Sequence, residues 1–206
     1  MLGASRFVQP CLPTLRKEPP TGGRWRHEVK FDGWRLQLHK VGNRVVLYSK
    51  KGYDFTHQFP HIEAAGIFFP ARHVIIDAEI AACGENGMPD FSALLNKSHD
   101  DICIWCFDLL AINGKDLRTL PYIERKAGLA RLVERTNHNR IRYSEYFDNA
   151  EVLIKACARM KLEGIVSKLV DSSYRSGPSK EWIKVKCLEW REDNRWRHEF
   201  FERNRR

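Results

Sequence analysis

Three short segments of this chain alternate charged and bulky apolar side chains, residue by residue. Glu28, Lys30 and Asp32 interleave with Val29 and Phe31; Asp77 and Glu79 with Ile76, Ala78 and Ile80; Lys184 and Lys186 with Ile183 and Val185. A period of two belongs to the β-strand, whose successive side chains point to opposite faces. Each segment therefore reads as a strand with one face in a core and the other carrying charge. Any one of them alone is most simply a half-exposed strand with a solvated face. Three together, each flanked by core-type residues, predict strands that line one cleft with lysines and carboxylates.

The remaining chain supplies the frame. Residues 7–23 contain Pro10, Pro13, Pro19, Pro20, Gly22 and Gly23 and read as an extended, irregular lead-in. Strands are expected over 25–31 and 34–38, and the turn Gly42-Asn43 leads to a returning strand over 45–48. Further strands are expected over 73–82 and 102–112, with a turn over 84–87 and a short helix over 91–96 between them. Asn113-Gly114 ends the second of these strands. Helices are expected over 121–135, with Pro121 in the first turn, and over 150–161. Short strands near 165–168 and 182–186 follow. Many antiparallel-looking strands and few helices give an α+β class. A chain of 206 residues is long enough to bury a core as one domain with a tail. After Cys187 the character changes to a charged helix or tail rich in arginine, including Arg191, Arg195 and Arg197. The pentapeptide at 24–28 recurs at 195–199, but a single recurrence sets no period.

Charge narrows the partners. Lys and Arg number 35 against 26 Asp and Glu, a net of +9, which attracts polyanions. Nucleic acid is the natural candidate, although many basic proteins bind none. No apolar run reaches the roughly 18 residues of a membrane helix, and residues 1–10 lack the apolar stretch of a secretory signal. Among the six cysteines only Cys103 and Cys106 form a C-x-x-C, and in a strand those positions face opposite ways. Without a completed zinc pattern, all six read as reduced thiols of a cytosolic compartment.

A cleft of lysines and carboxylates suits a nucleoside triphosphate. Lys184 and Lys186 can neutralise phosphates, and Glu79 and Glu163 can hold a ribose hydroxyl or Mg²⁺. Lys30 is a candidate amine nucleophile once it loses its proton, which burial and neighbouring positive charge both favour. The Asp32-Gly33 step lets the backbone approach a ligand closely.

Lys30-Phe-Asp-Gly-Trp-Arg35 resembles the nucleotidyl-acceptor motif K-x-D-G-x-R of ATP-dependent DNA ligases. Alone it would be weak evidence. Five further segments follow in the family's order: Ser49-Lys-Lys-Gly52, Asp77-Ala-Glu-Ile80, Phe107-Asp-Leu-Leu110, Glu163-Gly-Ile-Val-Ser-Lys168 and Trp182-Ile-Lys-Val-Lys186. The lead-in Gln9-Pro-Cys-Leu-Pro13 is also similar to the family's entry to this domain. The resemblance is strongest to ligases of bacterial end joining. It implies an ATP-grasp-like nucleotidyltransferase domain of antiparallel sheets flanked by helices, with the nucleotide cleft between them. It also implies a lead-in over residues 1–24, an adenylation domain over 25–187 and an Arg-rich tail over 188–206.

The reaction so implied has three steps. Lys30 attacks the ATP α-phosphate, AMP moves from Lys30 to a DNA 5′-phosphate, and a 3′-hydroxyl then seals the strand. By the same resemblance Glu28 contacts adenine, Phe107 stacks on it and Glu79 holds the ribose. Glu163, with Glu79, supports Mg²⁺ or Mn²⁺, and Lys184 and Lys186 steady the phosphate. Arg35 and Lys50 reach the nucleotide and the DNA. Phe107 also reads as a plain core side chain, and Asp108 as a structural acceptor; Asp32 reads as a turn former, and His27, His57 and His99 as surface or structural residues. The partners are nicked or broken duplex DNA and, by family habit, an end-joining polymerase, nuclease or end-binding protein. The setting is bacterial cytoplasm at the nucleoid, away from membranes.

Three departures stand out. Lys50 replaces the usual Arg and loses its bidentate fork. Ala78 replaces Gly, adding a methyl where a ligand approaches. Only 19 residues follow Cys187, too few for the family's OB-fold domain, so slow self-adenylation and weak, salt-sensitive DNA binding are expected. The alternatives are an RNA ligase or capping-type nucleotidyltransferase, and a non-catalytic module that binds nicks or ends.

Overall fold

Two β-sheets face one another, and the charge-bearing strands of the alternation supply the facing surfaces. The computed structural model describes residues 7–83, 89–90 and 102–194. The first sheet, among the described residues, runs in the order β1 (Cys11–Leu15), β12 (Gly177–Lys186), β11 (Gly164–Leu169), β2 (Trp25–Lys30) and β10 (Tyr146–Phe147). The second runs β4 (Arg44–Ser49), β3 (Trp34–Val41), β5 (His73–Cys83), β7 (Ile102–Ile112) and β8 (Lys115–Asp116). Two short strands extend it: β6 (Pro89–Asp90) on β5, and β9 (Ile141–Tyr143) on β7. Pairing is antiparallel except for β1 with β12 and β7 with β9.

Helices close the outer faces. On the second sheet, Leu38, Ile76, Ile80 and Ile104 pack against Ile62 and Ala65 of α1 (Pro60–Gly66) and Leu129 and Val133 of α2 (Tyr122–Thr136). On the first sheet, Ile165, Ile183 and Val185 pack against Leu153 and Cys157 of α3 (Ala150–Arg159). A third cluster, including Cys11, Leu110, Tyr174 and Trp182, joins the inner faces. The short α4 (Leu188–Asp193) follows β12. The α+β expectation therefore holds, with the cleft between the sheets.

The lead-in is more regular than its prolines suggest. Cys11–Leu15 is an edge strand, and its register with β12 shifts at Pro13/Thr14. Proline is tolerated at an edge, where its missing N–H costs no ladder bond. Helix α1 starts with Pro60 in its first turn and buries Ile62 and Ala65 within a span too short to show a helical period in sequence. Helix α2 ends on Asn137, a left-handed cap at φ 44°, and α3 ends at Arg159, short of the expected 161. The expected turn over 84–87 and helix over 91–96 lie outside the described residues.

Two glycines let neighbouring strands of each sheet approach closely beside the cleft. A Cβ on Gly33 would sit 2.0 Å from the Ile80 carbonyl oxygen, and one on Gly164 2.0 Å from that of Val185. Gly164 also holds φ +146°, outside the range L side chains favour. The first lets β3 start hard against β5; the second lets β11 start hard against the Val185–Lys186 backbone of β12.

Helix α2 is tied to the second sheet by an ion pair between two fully buried side chains. Arg125 donates to both carboxylate oxygens of Asp108, at 2.8 and 2.9 Å, and to the Leu120 and Ser172 carbonyls. Arg125→Ala is expected to lower the unfolding free energy by about 3–5 kcal/mol in urea denaturation, because Asp108 would stay buried without a counter-ion. A loss under about 1 kcal/mol, the scale of an exposed pair, would show that water reaches the carboxylate. Gly164→Ala is expected to cost at least the roughly 1–3 kcal/mol of a strained backbone position.

Candidate active site

A cavity of about 410 Å³ lies between the sheets. Of the residues nominated from sequence, Glu28, Lys30, Arg35, Lys50, Glu79, Phe107 and Lys184 line it. Glu163 and Lys186 join through charge. Lys30 Nζ pairs with Glu163 Oε2, and Lys186 Nζ lies 2.8 Å from Glu163 Oε1. Strand register explains the arrangement. Lys30, Gly164 and Lys186 form one row across β2, β11 and β12, and Glu28, Val166 and Lys184 form the next. Glu163 enters from the residue just before β11 and is 5% exposed, whereas the Lys30 side chain keeps 23% of its surface open.

One end of the cavity is strongly positive. Burial, then the charges of Lys30, Lys186 and Lys50, pushes the Lys184 ammonium below its ordinary range. Such a cluster favours a multiply charged anion. Lys50 sits exposed just after β4 at the margin of this cluster. Glu79 lies across the cavity in a row with Arg35 and Trp105. Burial pushes its carboxyl up to about 7, opposed by Lys30 and Arg35.

The other end is aromatic and closed by buried charge. Lys168 Nζ lies 4.3 Å from the Trp182 ring, 4.7 Å from Phe107 and 5.2 Å from Tyr122. It pairs with Glu28 Oε1 at 2.5 Å, and Tyr122 donates to the same oxygen at 2.7 Å. Lys126 and Ser144 donate to Oε2 at 2.9 and 2.7 Å. These four partners fill the acceptor sites of a carboxylate. Burial opposes the Glu28 charge, yet Lys126 and Lys168 hold its carboxyl below the usual range. Burial lowers the Lys126 ammonium to about 8 against the pull of Glu28.

Arg35 is anchored within the protein. It donates to both oxygens of Asp77, at 3.0 and 2.6 Å, and to the Cys11 carbonyl at 2.7 Å. Tyr174 donates to the same Asp77, and the Arg35 guanidinium lies 5.4 Å from the Phe107 ring centre. Phe107 thus packs in the core cluster between the sheets and also lines the cavity.

Other sequence expectations resolve individually. Asp108 is the structural acceptor for Arg125. His27 is buried against Ser167, at 2.8 Å, and does not line the cavity; His99 lies outside the described residues. The Ala78 methyl packs in the outer core of the second sheet, so this departure from the family pattern does not narrow the cavity. Cys103 and Cys106 are buried, and no cluster of three or more metal-ligating side chains occurs among the described residues. Tyr122, Lys126 and Ser144 had no signal in sequence, because a helix and a loop far along the chain bring them to Glu28. Lys168 did have one, as the last residue of a motif, but no role was drawn from it.

The family model of the ATP dependent DNA ligase domain matches residues 13–186. The chain is 35% identical to the multifunctional non-homologous end joining protein LigD of Pseudomonas aeruginosa, over 88% of this chain and 22% of that protein. It is 30% identical to a DNA ligase of Thermococcus fumicolans, over 80% of this chain and 33% of that one. The structure of mycobacterial DNA ligase D complexed with ATP and MES matches with a TM-score of 0.77 at 30% identity, over 87% of this chain and 60% of that one. The ligase domain of M. tuberculosis LigD matches with a TM-score of 0.73 at 28% identity, over 87% of this chain and 59% of that one. The chain thus spans 22% of the length of the curated LigD relative and 33% of the archaeal one. With the match running from Pro13 in the first edge strand to Lys186, the last lysine of the ion-paired group, the chain belongs to the ATP-dependent DNA ligase domain family.

Proposed function

We propose that this chain charges Lys30 with adenylate from ATP and passes the adenylate to a 5′-phosphate of nicked or broken duplex DNA. The observation that carries this reading is the position of Lys30. Its amine sits in an ion-paired row with Glu163 and Lys186, beside a cavity that is aromatic at one end and cationic at the other. A nucleoside triphosphate has the matching polarity.

In the first step Lys30 Nζ gives up a proton and forms a bond to the α-phosphorus, while the bond from that phosphorus to the pyrophosphate oxygen breaks. Lys184 and Lys186 balance the charge on the phosphates, and Glu163 holds the amine in line. Phe107 offers its ring to adenine. Glu28 meets the base by exchanging one of its hydroxyl donors for it. Glu79 takes the ribose. Catalysis is then mainly positioning and charge neutralisation. Arg35, bound to Asp77, supports the Phe107 side of the cavity and leaves the DNA strand chiefly to Lys50.

Glu163 and Glu79 would hold Mg²⁺ or Mn²⁺ together with substrate phosphates, Glu163 exchanging one of its two lysine partners for the ion. Bound there, the ion supplies further charge neutralisation at the phosphates. We take residues 25–187 as the adenylating unit, with the lead-in packed on it and the segment over 188–206 appended. The end-joining name of the Pseudomonas relative supports break repair; we place the reaction in a bacterial cell and take an end-joining polymerase, nuclease or end-binding protein as its partner.

Incubation with α-labelled ATP and Mg²⁺ tests the first step. The wild-type chain is expected to retain label through denaturation, and Lys30→Ala to fall to background. Equal labelling of both removes Lys30 as the nucleophile. Lys184→Ala is expected to slow labelling by about 100-fold, the scale of losing one preorganised charge donor.

DNA binding should weaken steeply with salt. Lys50→Ala is expected to reduce the slope of log affinity against log salt by about 1, measured by fluorescence anisotropy on a nicked duplex. An unchanged slope would place Lys50 away from the phosphates.

A further inference from the structure

A second groove lies on the side of α2 away from Glu28, and it shares no lining residue with the catalytic cavity. Two hollows of about 610 and 420 Å³ meet at Pro70 and Asn113. The Asn113 side chain fixes this junction by accepting from the Arg72 and His73 backbone N–H groups, at 2.9 and 3.2 Å. The floor is apolar, formed by Leu109, Ile112, Leu117 and Leu120. Phe68, close by in sequence, is 61% exposed.

The rim is basic. Arg131 and Arg135 stand one turn apart on α2, Lys115 lies on β8, and Arg72 borders the smaller hollow. All four are exposed, and none has a side-chain ion pair among the described residues. Glu124 is the only acidic residue among the described residues lining the two hollows.

Gly128 adds an independent observation. A glycine inside a helix costs about 1 kcal/mol relative to alanine. Nothing in the packing requires one here: a Cβ would meet only Leu109 Cδ2, at 3.4 Å, an ordinary contact. Gly128 lines the groove opposite Leu109, so a side chain there would project against the floor.

We propose that this groove docks an acidic peptide segment of a partner protein, with apolar side chains on the floor and carboxylates against the four cations. Charge complementarity selects an acidic partner. The joined hollows suit an extended chain better than a compact ligand. The apolar floor favours a peptide over duplex DNA, which would engage the basic rim through its phosphates and leave the floor unused.

The test titrates the full chain with a fluorescein-labelled acidic peptide carrying spaced leucines, followed by anisotropy. Binding to the wild-type chain is expected. The double variant Arg131→Glu, Arg135→Glu, and separately Gly128→Leu, are expected to weaken it by about tenfold or more. Adenylate labelling of Lys30 should remain at the wild-type level in each, which separates this proposal from the catalytic one. A peptide that binds neither chain, or binds the wild type and the charge-reversed variant equally, overturns the proposal. Displacement of the peptide by nicked duplex DNA, with the same variants weakening DNA binding equally, also overturns it and assigns the face to nucleic acid.

Discussion

Charge held between two sheets is the constraint on which this molecule depends. Taking an ion out of water costs several kcal/mol, and only a well-placed partner offsets it. The inner faces contain Asp108, Asp77 and Glu28, all buried. Each has its own cation: Arg125 for Asp108, Arg35 for Asp77, and Lys126 with Lys168 for Glu28. These pairings also cross the fold. They bind α2 to β7, β3 to β5, and the first sheet to α2, so the neutralised ions hold the cleft at its width.

At the lysine end the balance is deliberately incomplete. Lys30 and Lys186 share one carboxylate, Glu163, while Lys184 and Lys50 add further positive charge beside them. The described residues leave this end positive, and in the proposed function a triphosphate completes it. Rigidity at one end and unmet charge at the other are thus two uses of the same chemistry. The acidic-peptide groove on α2 repeats the second use on an exterior face, where Arg131 and Arg135 are solvated and their cost is small.

Much of the site was legible because strand periodicity is local. Alternation placed Glu28 and Lys30 on one face, and Lys184 and Lys186 on another, before any contact was known; the register then set them in adjoining rows. The sequence reads Gly33 as a close approach to a ligand, and it does line the cavity, with its backbone also hard against the Ile80 carbonyl; the approach of Gly164 to Val185 was not legible. The partners of Glu28 were not legible. Tyr122 and Lys126 sit on a helix whose sequence signals only an amphipathic face, and Ser144 lies in a loop. The edge strand at Cys11–Leu15 was hidden by Pro13, a residue that argues against a strand unless its neighbour on one side is known to be absent.

The sequence by itself determined which side chains share a face, because that follows from spacing along one strand, and its resemblance to the ligase family supplied the order of the motifs and singled out Lys30 as the nucleophile candidate. Only the tertiary structure decided which of those charges remain available. Arg35 and Asp77 proved to satisfy one another, Glu28 proved to be held by four donors, and Lys30 proved to share Glu163 with Lys186. Pairing between ions depends on distances across sheets and helices far apart in the chain, and spacing along one segment carries no information about them.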